Sequence, residues 1–203
     1  MGALLAFPAV YRDYTAQFTE KKQQPIKTLS RRMREMVERH ERLWDRQLQK
    51  NVKMLWESVN PMDEVVPGVW IGTADAARNE ELLEDNRIST ILNMASECSY
   101  QNPSRNIRVV RIGIDDGCMT SVGVFEKAAD ILRDAVNAGD NVLVHCAAGV
   151  SRSCTAVISY LMLYKGWGLS ECLEEIREHR PCANPHPQLV RSLIRDFGPR
   201  FIP

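Results

Sequence analysis

The chain has 203 residues, a length that suits one domain of about 150 residues together with an extension. Its 26 basic and 26 acidic residues balance, so neither nucleic acid nor a membrane surface is an expected partner. Six cysteines without a CxxC pair indicate reduced thiols in the cytoplasm or the nucleus, and no apolar run approaches the roughly 18 residues of a membrane span.

The N-terminal part of the chain predicts an extension rather than a domain. Residues 1–27 show little periodicity and are expected to form an extended arm. From Thr28 or Ser30 onwards, apolar side chains recur every three or four residues, which predicts a long amphipathic helix over residues 28–60. Its polar face is mainly basic. Such a helix either packs its apolar stripe on the domain that follows or docks a partner or a second copy of the chain.

Beyond Pro61, strand-like and helix-like stretches alternate to the end of the chain, and we assign residues 61–203 to one domain. Residues 65–72 are expected to form a turn and the first strand, and further predicted strands lie at residues 90–94, 107–112 and 142–144. The predicted helices lie at residues 74–84, 121–137, 151–164, 170–180 and 186–197. This alternation is typical of an α/β domain in which helices cover both faces of a mostly parallel central sheet.

The strand at residues 142–144 leads through His145 and Cys146 into a tight loop of small residues, and a helix follows at once. The loop residues are Ala147, Ala148, Gly149, Val150 and Ser151, with Arg152 closing the loop. Consecutive backbone N–H groups in such a turn curl round an anion, and the positive end of the helix dipole adds to the attraction. The stretch therefore predicts an anion site.

Two side chains would make this anion site reactive. The N–H groups and the helix dipole would stabilise a thiolate at Cys146, a placement that lowers a cysteine pKa from about 8.5 into the range of roughly 3.5–7.5. The planar guanidinium of Arg152 can hold two phosphate oxygens, and the hydroxyl of Ser153 can donate to the sulfur as it leaves. A buried structural cysteine is the alternative interpretation, but the accompanying His145 and Gly149 disfavour it.

The spacing His-Cys-x5-Arg-Ser is the signature of the cysteine-dependent protein tyrosine phosphatase superfamily, and Cys-Ala-Ala-Gly-Val-Ser-Arg-Ser resembles its dual-specificity branch. Over about residues 64–199, the order of Pro-Gly-Val-Trp-Ile-Gly, Ile-Leu-Asn, the signature, Arg180-Pro181 and Asn184-Pro185 is similar to an atypical dual-specificity phosphatase. The resemblance implies hydrolysis of phosphotyrosine and phosphoserine or phosphothreonine through a cysteinyl-phosphate intermediate, without a metal or other cofactor.

A thiolate that attacks phosphorus needs a carboxylic acid to protonate the leaving oxygen. The family pattern places this acid at Asp116, in the sequence Asp115-Asp116-Gly117 after a predicted strand, and Asp115 is the alternative by one position. The four histidines form no HxH or HExxH ligand set, which also favours chemistry without a metal. His145 and Asn184 are expected to support the loop rather than to carry protons.

The loop side chains Ala147, Ala148 and Val150 are uncharged, whereas relatives that act on inositol lipids commonly carry lysine there. A phosphoprotein is therefore favoured over a lipid, nucleotide or glycan phosphate. A third alternative, an inactive phospho-binding module, is disfavoured because the cysteine, the arginine and the aspartate are all present. Lys21-Lys22 ahead of apolar residues loosely resembles the docking peptides that bind MAP kinases. A MAP kinase or another signalling protein is thus a candidate partner.

Overall fold

The computed structural model describes residues 60–99 and 104–201 and, nearer the N-terminus, the exposed helical residues Arg31, Glu35, Glu38 and Arg39. The predicted arm over residues 1–27 lies outside the described residues. So does nearly all of the helix predicted over residues 28–60, and the role of that helix therefore stays a prediction.

The described domain contains five strands and five α-helices. The strands are β1 (Met62–Val66), β2 (Val69–Gly72), β3 (Ile88–Ala95), β4 (Arg108–Ile114) and β5 (Asn141–His145). The helices are α1 (Glu80–Asp85), α2 (Val124–Asn137), α3 (Arg152–Tyr160), α4 (Leu169–His179) and α5 (Pro187–Phe201). Within the part of the chain that the structure describes, none of the helices combines the length and the apolar character that crossing a bilayer demands.

The strands form one sheet in the order β1-β2-β5-β3-β4. Strands β2, β5, β3 and β4 are parallel neighbours, whereas the edge strand β1 pairs in the antiparallel sense. The predicted mostly parallel sheet flanked by helices is thus confirmed. The apolar strand β5 is the central strand of the sheet. Cys146 follows its carboxyl end, the side on which open α/β sheets bind their ligands.

Helices cover both faces of the sheet, but unequally. The larger core lies between the sheet and helices α2 to α5, and Val142 and Val144 of β5 point into it. The smaller core lies under α1 on the opposite face and receives Leu143. Alternate residues of β5 thus enter opposite cores, as the two-residue period of a strand requires. Because both faces are packed, the strand that carries the site is held rigidly.

Two predicted helices differ from those in the structure. The helix predicted over residues 74–84 is divided into a 3-10 turn (Ala76–Arg78) and α1, because Asn79 is extended and its side chain accepts the N–H of Leu82 at 3.1 Å as an N-cap. The helix predicted over residues 151–164 ends as α3 at Tyr160 and continues as a π-helical turn over Leu161–Lys165.

Candidate active site

The connection from β5 to α3 (residues 146–151), together with Arg152 at the start of α3, forms the phosphate loop. The carbonyl groups of this loop turn outward. The carbonyl of Cys146 accepts from Nδ1 of His145 at 3.0 Å, and that of Ala147 accepts from the N–H of Ala74 at 3.0 Å. Since a carbonyl only accepts, the proton of the imidazole lies on Nδ1. Burial lowers the pKa of His145 to about 4. The ring is therefore neutral at neutral pH and suited to a supporting role.

Arg180, between α4 and α5, holds the middle of the phosphate loop. Its side chain is fully buried, with Nε donating to the carbonyl of Gly149 at 2.7 Å and Nη2 to that of Ala148 at 3.3 Å. Its Nη1 is paired with Asp63 of β1. A single guanidinium thus ties two loop carbonyls to the edge of the sheet. The sequence indicated no such role for Arg180 or for Asp63.

Glycine is required at the turn of the phosphate loop. Gly149 has a φ of +67°, and a Cβ there would lie 2.6 Å from the carbonyl oxygen of Gly72 and 2.7 Å from Nη2 of Arg180. The following carbonyl, that of Val150, accepts from the backbone N–H of Asn184 at 2.8 Å. Asn184 is buried, and its main-chain N–H holds the loop at this carbonyl.

The outward carbonyls leave the peptide N–H groups of the phosphate loop facing the inside of the turn. Within the described residues, no N–H of residues 147–151 donates to a protein acceptor. Helix α3 begins at Arg152, so its positive dipole end points at the same space. The loop is therefore a ring of donors around a position that an oxyanion can occupy.

The thiol of Cys146 lies at the base of this ring, buried, with Sγ 3.4 Å from Oγ of Ser153. Burial alone would raise the pKa of Cys146, but the charge of Arg152 and the hydrogen bonds from the hydroxyl and N–H of Ser153 outweigh it and lower the pKa below the ordinary value. Cys154, in the first turn of α3, is equally buried, and burial raises its pKa well above the ordinary value. The structure thus favours a thiolate at only one of these two cysteines.

The guanidinium of Arg152 is held by Glu97, a residue that the sequence did not single out. Nη1 and Nη2 donate to the two carboxylate oxygens of Glu97 at 2.6 and 2.5 Å, and Nη1 also donates to the carbonyl of Ile114 at 3.1 Å. Of the five guanidinium N–H groups, the one on Nε and the second one on Nη2 remain. Nε has no hydrogen-bond partner among the described residues.

The two remaining N–H groups of Arg152 lie side by side on one edge of the planar group, the arrangement that binds two oxygens of a phosphate. Burial opposes the charge of Arg152, but the hydrogen bonds to Glu97 raise its pKa further above the ordinary value, so the guanidinium remains charged. The same contact lowers the pKa of Glu97 against the effect of partial burial. Glu97 therefore fixes both the charge and the direction of the guanidinium.

The two candidate acids point in different directions. Asp116 is only 9% exposed, its Oδ1 accepts from the hydroxyl of Ser151 at 2.8 Å, and its Oδ2 lies 3.5 Å from Nε of Arg152. Asp115 instead accepts from the hydroxyl of Ser96 at 2.5 Å on the exposed surface. Of the two positions that the sequence left open, the structure places Asp116 against the phosphate loop.

The predicted catalytic side chains converge at the carboxyl end of β5. Cys146, Arg152, Ser153 and Asp116 meet around the ring of N–H groups, and His145 lies behind the ring. Among residues 60–99 and 104–201, no group of three or more His, Cys, Asp or Glu side chains comes together as a possible metal site. The arrangement combines a nucleophile, an oxyanion cradle and a carboxyl group.

The model of the dual specificity phosphatase catalytic domain matches residues 69–197, and the chain belongs to this family. It is 35% identical over 140 residues to dual specificity protein phosphatase 15 of Mus musculus, covering 68% of this chain and 58% of that protein. It is 30% identical over 163 residues to dual specificity protein phosphatase 1 of Arabidopsis thaliana, covering 77% of this chain and 82% of that protein.

Other relatives are longer than the matched region. Protein phosphatase Slingshot homolog 3 of Rattus norvegicus is 37% identical over 133 residues, which are 64% of this chain but only 20% of that protein. Among solved structures, DUSP15 aligns with a TM-score of 0.63 at 33% identity over 69% of this chain and 88% of the other. A variant of human DUSP28 aligns with a TM-score of 0.63 at 26% identity over 70% of this chain and 97% of the other.

Proposed function

We propose that this chain is a protein phosphatase that removes phosphate from phosphotyrosine and from phosphoserine or phosphothreonine. The observation that carries this proposal is the environment of Cys146. A buried thiol whose pKa is lowered lies at the base of a ring of N–H donors, beside a guanidinium that keeps two parallel N–H groups for an anion. A phosphate monoester has the charge and the oxygens that this ring and the guanidinium can bind.

In the first step, the thiolate of Cys146 attacks phosphorus, so that the S–P bond forms as the bond to the leaving oxygen breaks. The N–H ring and Arg152 stabilise the charge on the phosphoryl oxygens. Asp116 gives its proton to the leaving oxygen. Oδ1 of Asp116 accepts from the hydroxyl of Ser151 and from the N–H of Gly117 at 3.0 Å, which leaves Oδ2 to carry the transferred proton.

In the second step, water attacks the cysteinyl phosphate. The carboxylate of Asp116 takes a proton from the water, the new P–O bond forms, and the S–P bond breaks. The sulfur leaves as a thiolate, which the hydroxyl of Ser153 stabilises from 3.4 Å, and inorganic phosphate is released. The two steps use side chains and backbone N–H groups of this chain together with water.

The uncharged side chains of the phosphate loop support a protein that carries a single phosphate at the cleft. Docking of a MAP kinase or another signalling protein through Lys21-Lys22 and the predicted helix over residues 28–60, or self-association of that helix, remains a proposal from the sequence, as does a cytoplasmic or nuclear location. A panel of phosphopeptides and phosphoinositides tests the substrate class. Faster turnover of phosphoinositides, nucleotides or glycan phosphates would contradict a protein substrate.

Hydrolysis of an aryl phosphate by the Cys146→Ser variant tests the enzymatic proposal. Turnover should be lost because a serine hydroxyl is not ionised in this ring, whereas binding of inorganic phosphate should persist because the N–H groups and Arg152 remain. Cys172→Ser is the matched control, since Cys172 is also fully buried but lies in α4 and has a pKa raised by burial to about 12. A Cys146→Ser rate within about tenfold of wild type would refute the assignment of the nucleophile.

A further inference from the structure

Helix α5 holds the segment that follows Asp116. The acid loop comprises residues 115–119, and Thr120 follows it. Both backbone groups of Thr120 are hydrogen-bonded to side chains of α5. Its N–H donates to Oγ of Ser192 at 3.0 Å, and its carbonyl accepts from Nη1 of Arg195 at 2.9 Å. The acid loop is thus anchored to α5 at the end opposite to β4.

The two α5 side chains are themselves fixed in place. Ser192 is buried, and its hydroxyl donates to the carbonyl of Gln188 at 3.1 Å, which leaves an oxygen lone pair directed at Thr120. Arg195 donates to both carboxylate oxygens of Asp196, at 2.6 and 3.1 Å. Asp196 in turn accepts the N–H of Gly123 at 3.3 Å, at the start of α2. Hydrogen bonds to other residues thus fix the orientation of both side chains that hold Thr120.

The acid loop is short enough to transmit a shift of this anchor to the proton donor. Five residues separate the end of β4 from Thr120, and Asp116 is the second of them. On the side of the phosphate loop, the hydroxyl of Ser151 orients Asp116. This hydrogen bond, on the order of 1 kcal/mol net, orients the carboxyl group of Asp116, whereas the position of the loop backbone also depends on how its other end is held.

We propose that Arg195 and Ser192 are positioning residues for the proton donor. They hold Thr120, the acid loop keeps its shape, and Asp116 stays turned toward the phosphate loop. The hydrogen bonds of Ser192 and Arg195 reach Thr120, Gln188 and Asp196 and not the phosphate loop, so their effect should fall on proton transfer. This inference rests on the proposed function, because it takes Asp116 to be the acid.

The test compares two esters with the Arg195→Ala variant. For phenyl phosphate, whose leaving group needs a proton, kcat/KM, which reports only the first step, should fall roughly tenfold and at most about 100-fold, the scale that a 1 Å misplacement produces. The kcat/KM of nitrophenyl phosphate and the inhibition constant of inorganic phosphate should stay at the wild-type level, which also shows that the variant is folded. Arg195→Lys should recover much of the loss, since an ammonium can donate to the carbonyl of Thr120.

Arg133→Ala is the matched control for Arg195→Ala. Arg133 also belongs to a helix and pairs with the aspartate that follows it, but its remaining contacts reach only Asp130 and Tyr164 on the surface. Both esters should be hydrolysed at the wild-type rate. Should Arg195→Ala fail to fold, Ser192→Ala, which removes one of the two anchor bonds, is judged by the same leaving-group criterion.

The Asp116→Asn variant distinguishes an error in the assignment of the proton donor from an error in the inference about α5. If Asp116→Asn shows no loss that depends on the leaving group, the assignment of the proton donor is wrong, and the inference about α5 is wrong with it. If Asp116→Asn shows that loss but Arg195→Ala slows both esters equally or neither, only the positioning inference is overturned. When both hold, adding Arg195→Ala to Asp116→Asn should produce no further leaving-group dependence.

Discussion

The phosphate loop and the acid loop meet at the site, yet they are held in different ways. The phosphate loop owes its shape to successive outward carbonyls, which are bonded to several different neighbours, and to a glycine whose Cβ would collide with the backbone. The acid loop relies on the hydroxyl of Ser151 and on its anchor at α5. Anion binding is therefore spread over many backbone contacts, whereas proton donation depends on few. Mutations in the two loops should therefore affect anion binding and proton donation separately.

The largest effect is expected from Gly149→Ala. The new Cβ would meet the backbone oxygen of Gly72 at 2.6 Å, in addition to the strain of a left-handed φ. We expect a lower melting temperature, loss of phosphate binding, and loss of turnover for good and poor leaving groups alike. Calorimetry and inhibition by inorganic phosphate measure these effects.

Gly139→Ala is the control for backbone strain alone. Gly139 has a φ of +82°, but a Cβ there would meet nothing within 4 Å. This variant should lose about 1 kcal/mol of stability and keep wild-type kinetic constants. Equal effects of the two substitutions on phosphate binding would contradict the view that the close packing of Gly149 shapes the phosphate loop.

The next effect in size concerns the acid loop. Asp116→Asn should lower kcat/KM, which reports the first step, by about 10²–10⁴ for phenyl phosphate, the usual contribution of general acid catalysis, and far less for an activated nitrophenyl ester. The limb of the pH profile that falls at high pH should flatten, because it reports loss of the acid proton. Asp115→Asn should reduce the rate by well under about tenfold, since Asp115 faces Ser96. A large leaving-group-dependent loss in Asp115→Asn instead would reverse the assignment.

The smallest effect is expected from Glu97→Gln, which tests how much phosphate binding depends on the orientation of Arg152. An amide can still accept one hydrogen bond but no longer fixes both Nη groups. Because the carboxylate of Glu97 is half-exposed, we expect a loss in kcat/KM of about tenfold or less, equal for both esters. Glu81→Gln, an exposed position on α1, is the control. A loss confined to the poor leaving group would mean that Glu97 acts through Asp116.

The elements that follow one another along the chain were predictable from the sequence. An apolar strand, a loop of small residues and a helix are consecutive around Cys146, so local pattern sufficed to predict β5, the phosphate loop and α3. The mostly parallel sheet was also predictable, because strand-like and helix-like stretches alternate along the sequence. The division of the helix at residues 74–84 was missed because apolar periodicity continues across Asn79, whereas the cap made by its side chain depends on geometry.

The supports of the site were not predictable in the same way. Glu97 binds an arginine 55 residues away, and Arg180 binds a carbonyl 31 residues away and a carboxylate 117 residues away. The bonds from α5 to Thr120 span 72 and 75 residues. Single charged residues at such separations carry no periodic signal, so only the fold reveals their partners.

The covalent role of Cys146 is the central claim, and acid-quenching the Asp116→Asn variant during turnover of nitrophenyl phosphate tests it most directly. In this variant the activated ester still transfers its phosphoryl group to sulfur, but the base that activates water is missing, so the intermediate should accumulate. We expect mass spectrometry to find the phosphate on the peptide that contains Cys146. Phosphate on another side chain, or turnover at an undiminished rate with no phosphorylated protein, would contradict the account.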